Sequence, residues 1–256
     1  VVVTQFQAGQ ASERRKTQIA PVGQFLAQKS LKVLAGGSLV LLGGNMLITQ
    51  EGKVISECCQ GYADLPNKRL NNKDTRFASA SAGKVFVAVG ILMLIEKGRL
   101  DLNDSLGELL PFDLYLIDPQ ITVEQLLTHT SGVPDYFDEQ VMNDYEELWR
   151  DFPNYNIRKN SDILPLFIRK PMQYPRGTKF SYNNSGYVLL AAIIEQITQK
   201  PFDAYLDEVI FKPCRMDATG YFELDRLPSN CAANYIYCES ADSYRTNIYS
   251  VDAKGT

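Results

Sequence analysis

Histidine and tryptophan are nearly absent: His129 and Trp149 are the sole examples among 256 residues. One imidazole cannot build a histidine-rich metal site. The five cysteines (Cys58, Cys59, Cys214, Cys231 and Cys238) lack the paired spacing of a zinc knuckle. Their odd number points to free, buried or half-buried thiols, with a Cys231–Cys238 disulfide left open. No run of 18 apolar residues occurs; the nearest stretch, 33–48, is broken by Gly36, Gly37, Gly43, Gly44 and Asn45, so no integral membrane segment is expected. Positive charge is not in excess, with 26 Lys+Arg against 30 Asp+Glu and a net charge of −4. A nucleic-acid or anionic-membrane surface needs clustered positive charge, and none is expected here. The chain also lacks a Gly-x-Ser-x-Gly elbow, a Walker loop and a dinucleotide glycine pattern. No signal peptide is visible, and no cofactor is implied.

What is present reads as one globular domain over 1–256, 45% hydrophobic and 22% charged. Residues 1–18 read as a loose lead-in and Gln24–Leu34 as a short helix. Ser38–Thr49 and Lys53–Tyr62 are apolar segments around Gln50-Glu51-Gly52-Lys53, the pattern of a β-hairpin. From Ser81 the period changes: Val85, Phe86, Val89, Leu92, Met93 and Glu96 fall at helical spacing until Gly98. Thr122-Val123-Glu124-Gln125 has the form of a capping box. Residues 135–172 are aromatic and acidic without a clear period, and the stretch from Tyr136 to Tyr155 is expected to roof a cleft. Tyr187–Ile197 and Phe202–Phe211 read as helices. The expected class is α+β: an antiparallel sheet lobe (19–75 and 210–256) flanked by helices, with a mostly helical lobe (76–209).

Four residues carry candidate chemistry. In Ser81-Ala82-Gly83-Lys84 the serine and lysine lie at i and i+3, so on a helix their side chains share a face. A serine hydroxyl becomes a nucleophile when a base takes its proton, and burial of a lysine favours its neutral, basic form. One Ser-x-x-Lys arises by chance in a chain of this composition, so its weight comes from its place before a long apolar helix. In Tyr182-Asn183-Asn184, Tyr182 can move a proton and the Asn184 amide can meet a substrate amide, or the asparagine can cap a helix. His129, beside a Gly turn, is expected to fix that turn through hydrogen bonds rather than to act in a triad.

Taken in order, these blocks resemble the serine β-lactamase and penicillin-binding protein superfamily, in its class C β-lactamase and D-alanyl-D-alanine carboxypeptidase branch. The resemblance runs from about residue 38 to residue 221, through Gly61-Tyr62-Ala63-Asp64-Leu65, Phe77–Lys84, Leu126–Pro134, Phe180–Leu190 and Ile210–Met216. It implies a β-lactamase/transpeptidase-like fold, Ser81 as acylated nucleophile and Lys84 as its activating partner. It also implies Tyr182 as proton-transfer residue, Asn184 as a substrate-binding side chain, and the Ser81 N–H as half of an oxyanion hole. The implied activity is that of an acyl-serine hydrolase on a small-molecule or peptide substrate: a β-lactam, a D-Ala-D-Ala peptide or an ester. An extracytoplasmic or cell-envelope location follows from the resemblance alone.

Three features depart from the family pattern. Gly83 stands where Ser or Thr is usual, Arg176 separates a Pro and a Gly that usually adjoin, and no Lys-Thr-Gly or His-x-Gly strand follows Asn184. Lys254-Gly255-Thr256 has the wrong order for that third motif. The sequence therefore reads as C-terminally incomplete and, as it stands, catalytically poor. A second reading is a non-catalytic module that binds penicillin or cell-wall peptide. A third, an unrelated domain with chance motifs, would leave Ser81 and Tyr182 far apart.

Overall fold

The computed structural model describes residues 2–4, 43–138, 141–142 and 145–247. The expected helix Gln24–Leu34, residues 38–42 of the expected first hairpin strand, and Lys254-Gly255-Thr256 lie outside them. The described residues fall into two compact units, one within Ser79–Leu227 with Val2, Val3 and Asn247, the other within 43–78 and Pro228–Thr246 with Thr4. The first strand, β1 (Val2–Thr4), pairs antiparallel with Gly220–Tyr221, Val2 opposite Tyr221 and Val3 opposite Gly220. That part of the supposed lead-in is thus strand, because it finds its partner more than two hundred positions along the chain.

The smaller unit is built on hairpins. β2 (Gly44–Gln50) and β3 (Lys53–Gln60) are joined by Glu51 and Gly52, both at positive φ (50° and 74°). A two-residue turn of that hand matches the right-handed twist of its strands. The register shifts between Ile48, opposite Ser56, and Thr49, opposite Val54. Ile55 is therefore the extra residue of a β-bulge. β4 (Tyr62–Asp64) and β5 (Arg69–Leu70) form a second antiparallel pair, and β6 (Phe77–Ala78) ends the segment. Residues 228–246 return to this unit: Ala233 N–H donates to the Ala63 carbonyl, and the Leu65 N–H donates to the Tyr235 hydroxyl.

The larger unit is helical and carries the apolar core. After the 3-10 turn Ala80–Gly83 come α1 (Lys84–Glu96), α2 (Leu106–Leu109) and α3 (Val123–Leu127). Then follow α4 (Asn184–Thr198) and α5 (Phe202–Leu206), the last running into a π-helical turn over Asp207–Phe211. β7 (Gly220–Tyr221) is the partner of β1; β8 (Tyr235–Cys238) and β9 (Ser243–Thr246) pair in the smaller unit. The expected capping box on α3 is present: Gln125 N–H donates to Thr122 Oγ1 and the Thr122 N–H to Gln125 Oε1.

α4 is the centre of this unit. Every residue from Asn184 to Ile194 is buried, and α1, α2, α3, α5 and the 3-10 segment Asn160–Leu166 pack around it. A helix apolar on all sides belongs in a core rather than at a surface. α1 is the helix expected from the spacing, and the structure adds which of its faces turns inward. Its buried stripe is Lys84, Val87, Gly90, Ile91 and Leu94, whereas Val85, Val89 and Leu92 are exposed. With apolar residues on both faces, the spacing cannot say which face turns inward. A correction concerns the start of the aromatic stretch: Tyr136 (0% exposed) and Phe137 (6%) belong to the core and do not roof a cleft. All five cysteines are free, so the Cys231–Cys238 disulfide is not formed. No helix among the described residues is long and apolar enough to cross a membrane.

Candidate active site

The start of α1 and the start of α4 meet, and there the four residues singled out in the sequence come together. Ser81 sits in the 3-10 turn just before α1, behind Ala80, whose φ is +45°. A non-glycine residue in that region is strained, and such strain collects at functional sites. Lys84 is the first residue of α1 and is 6% exposed. Its Nζ donates to Ser81 Oγ at 3.2 Å and to Asn184 Oδ1 at 2.9 Å. The Tyr182 hydroxyl donates to the same Ser81 Oγ at 2.7 Å. Lys84 Nζ also lies 5.1 Å from the centre of the Tyr182 ring and 5.7 Å from that of Tyr187, within cation–π range.

The two asparagines divide the tasks left open by the sequence. Asn183 is the N-cap of α4: its Oδ1 accepts from the Gly186 N–H at 2.7 Å and its Nδ2 donates to the Val133 carbonyl at 2.6 Å. Asn184 is the first helical residue, and its amide is wholly engaged by the protein. Its Oδ1 takes Lys84, while its Nδ2 donates to Asp135 Oδ2 at 3.2 Å and to the Phe137 carbonyl at 3.3 Å.

His129 lies against Tyr182. Its ring stacks on Tyr187 (5.1 Å between centres) and lies tilted against Tyr182 (4.8 Å), with Phe180 edge-on at 5.9 Å. Nδ1 accepts from the Asn183 N–H at 3.1 Å, and the His129 carbonyl accepts from the Ser181 N–H at 2.9 Å. Burial and the Lys84 charge hold the imidazole below its usual range. A neutral ring with Nδ1 as acceptor fits the expected turn-fixing role. Gly132, at φ +74°, lets the same turn press against the Tyr174 carbonyl, and Gly177 N–H donates to the Thr130 carbonyl. Arg176, the departure noted in the sequence, turns outward to an ion pair with Asp118 at 2.9 Å. Gly83 has helical φ and ψ, and its carbonyl accepts from the buried Tyr221 hydroxyl at 3.1 Å.

One residue of this cluster escaped sequence reasoning. Asp135 is 7% exposed and follows the quoted block Leu126–Pro134. Its Oδ2 accepts from the Asn184 N–H at 2.9 Å, and its Oδ1 lies 3.3 Å from the Ser185 N–H and 3.4 Å from Ser185 Oγ. Burial pushes its carboxyl up to about 6, against the hydrogen bonds of Asn184, Ser185 and Phe137 and the Lys84 charge. The acid sits among Asp138, Glu139, Asp144, Glu146 and Glu147, so nothing in the sequence sets it apart.

The described residues thus combine helices and small antiparallel sheets with a buried lysine and a tyrosine that both bond to one serine hydroxyl. The beta-lactamase family model matches residues 27–243, and the chain belongs to that family, within the serine β-lactamase and penicillin-binding protein superfamily. Penicillin-binding protein 4* of Bacillus subtilis is 30% identical over 206 residues, covering 78% of this chain and 43% of that protein. The chain thus spans less than half the length of this curated relative. Among solved structures, a penicillin-binding protein from Bacillus halodurans is 38% identical with a TM-score of 0.77, over 83% of this chain and 64% of that one. The D-amino acid amidase of Ochrobactrum anthropi SV3, complexed with L-phenylalanine amide, is 29% identical with a TM-score of 0.60, over 77% and 53%.

Proposed function

We propose that this chain carries the nucleophilic centre of a serine acyl hydrolase that attacks amide, lactam or ester carbonyls through an acyl-enzyme on Ser81. The observation that carries the reading is the convergence of Lys84 Nζ and the Tyr182 hydroxyl on Ser81 Oγ, at 3.2 and 2.7 Å. Both distances are within hydrogen-bond reach, as proton transfer requires. Ser81 Oγ bonds to the carbonyl carbon as the carbonyl π pair moves to oxygen, and the serine proton passes to whichever of Lys84 or Tyr182 is in its basic form. The tetrahedral intermediate collapses, the bond to the leaving amine or alkoxide breaks, and that group takes the proton through Tyr182. Water then attacks the Ser81 ester, gives its proton to the same pair, and Oγ departs protonated. Asn184 holds Lys84 through Oδ1, the contact that keeps the amine beside the serine.

Reaction of the full chain with a fluorescent penicillin should give one covalent adduct, located by mass spectrometry on the peptide containing Ser81. Ser81→Ala should abolish it. Labelling that survives this substitution, or an adduct on another residue, overturns the assignment. Turnover of a p-nitrophenyl ester and of a D-amino acid amide distinguishes a hydrolase from a protein that keeps its acyl group.

A further inference from the structure

The buried carboxylate of Asp135 has no part in the proton transfers just described, yet it touches one of the residues that serve them. We infer that Asp135 is a positioning residue: its carboxylate fixes the orientation of the Asn184 side-chain amide and, through it, the place of Lys84 Nζ beside Ser81 Oγ. This inference rests on the acyl-hydrolase reading of the same site.

The argument is one of donors and acceptors. An amide can be turned by half a rotation at little intrinsic cost, which exchanges its oxygen and nitrogen. In the observed orientation Nδ2 faces two acceptors, Asp135 Oδ2 at 3.2 Å and the Phe137 carbonyl at 3.3 Å, while Oδ1 faces the Lys84 amine at 2.9 Å. The turned amide would set Oδ1 against a carboxylate and a carbonyl, and its NH2 against the amine of Lys84. Three favourable contacts would become three repulsive ones in a buried place, where such errors are costly. A carboxylate enforces the choice because, ionised, it is acceptor only.

The carboxylate is itself held from every side by donors. From α4 come the Asn184 N–H, the Asn184 amide, the Ser185 N–H and the Ser185 hydroxyl; from its own loop comes the Phe137 N–H at 3.4 Å. The charge that reaches it is Lys84 from α1. Of these partners only the Ser185 hydroxyl can also accept a proton, and that hydroxyl already accepts from the Tyr136 N–H at 2.8 Å. A neutral Asp135 turns one of its acceptor oxygens into a donor, which weakens its hold on the amide and lets it turn.

The test uses the full chain as wild type, Ser81→Ala and Asp135→Asn, with a fluorescent penicillin as probe at pH 5 to 8. Asp135→Asn places an NH2 among donors and should slow acylation at pH 7.5 by about 10- to 100-fold, the worth of a hydrogen bond to a charged group, with the half-saturating probe concentration little changed. Wild-type acylation should fall below about pH 6 while near-UV circular dichroism stays constant, and Asp135→Asn should lack that inflection. Wild-type rates and an unchanged pH profile in Asp135→Asn overturn the inference. A second readout stands apart from activity. The Asn184 side-chain amide resonances, assigned by their loss in Asn184→Ala, should shift in the wild-type spectrum with a midpoint near pH 6. Resonances that do not move overturn the clamp, even where Asp135→Asn fails to fold. A wild type that the probe never acylates overturns the acyl-hydrolase reading instead, and the resonances then decide the clamp alone.

Discussion

At the scale of single residues, Tyr182 separates chemistry from stability. The residue is 39% exposed and its hydroxyl meets Ser81, so removing that oxygen touches little of the core. Tyr182→Phe should lower turnover by about 10²- to 10⁴-fold, the worth of a positioned proton-transfer group. Its unfolding free energy should change by less than about 1 kcal/mol, read by urea denaturation. Asp135 behaves in the opposite way. Its folded value, about 6, stands above its ordinary 3.8. The stability it contributes is thus fully present below about pH 4 and is lost as pH rises through about 6. Subtracting the Asp135→Asn stability profile from that of the wild type should show a fall of roughly 2–3 kcal/mol over that window. Acylation should rise over the same window. Opposed trends of this kind mark a group kept for its geometry at some expense to the fold.

Among the elements, the turn His129–Val133 shows how little of the site is local. Three backbone bonds tie it to residues 173–181: the Gln173 N–H to the Gly132 carbonyl, the Gly177 N–H to Thr130 and the Ser181 N–H to His129. That segment holds Phe180 and leads directly into Tyr182. A Cβ on Gly132 would collide with the Tyr174 carbonyl, and its φ of +74° disfavours any L side chain. Gly132→Ala should therefore cost about 2–4 kcal/mol in thermal or urea unfolding and slow acylation as Tyr182 shifts. Short-range signals were legible in the sequence: the Glu51-Gly52 turn, the Thr122 capping box, and the Ser81-to-Lys84 spacing all rest on contacts within four positions. What was not legible depends on distant partners. The inward face of α1 is chosen by α4 and α5, and the α1 sequence is apolar on both sides. Asp135 looks like any member of an acidic loop until α4 brings its N–H groups to it.

For the molecule as a whole, α4 joins stability to chemistry: one end holds Asn184 and the rest fills the core. Ile193 is 0% exposed and lies in the second half of α4, away from the helix start that holds Asn184. Ile193→Ala should destabilise the chain by about 2–5 kcal/mol, seen as a lower melting temperature. The acylation rate per folded molecule should stay near wild type, because the helix start is held by its own bonds. The fold class was readable from strand signals early in the chain and helices in the middle. The pairing of Val2 and Val3 with Tyr221 and Gly220 was not, since three-residue strands carry almost no period and the partner is remote.

Asn183 and Asn184 have a consequence for how the chain can vary. One amide opens the helix and its neighbour steadies the amine, so the two duties are locked to a single phase of the backbone. Adding or deleting one residue between Ser181 and Ser185 would rotate both duties away from their partners together. Length changes near this junction should thus be far less tolerated than changes of residue type on the outer face of the neighbouring loops.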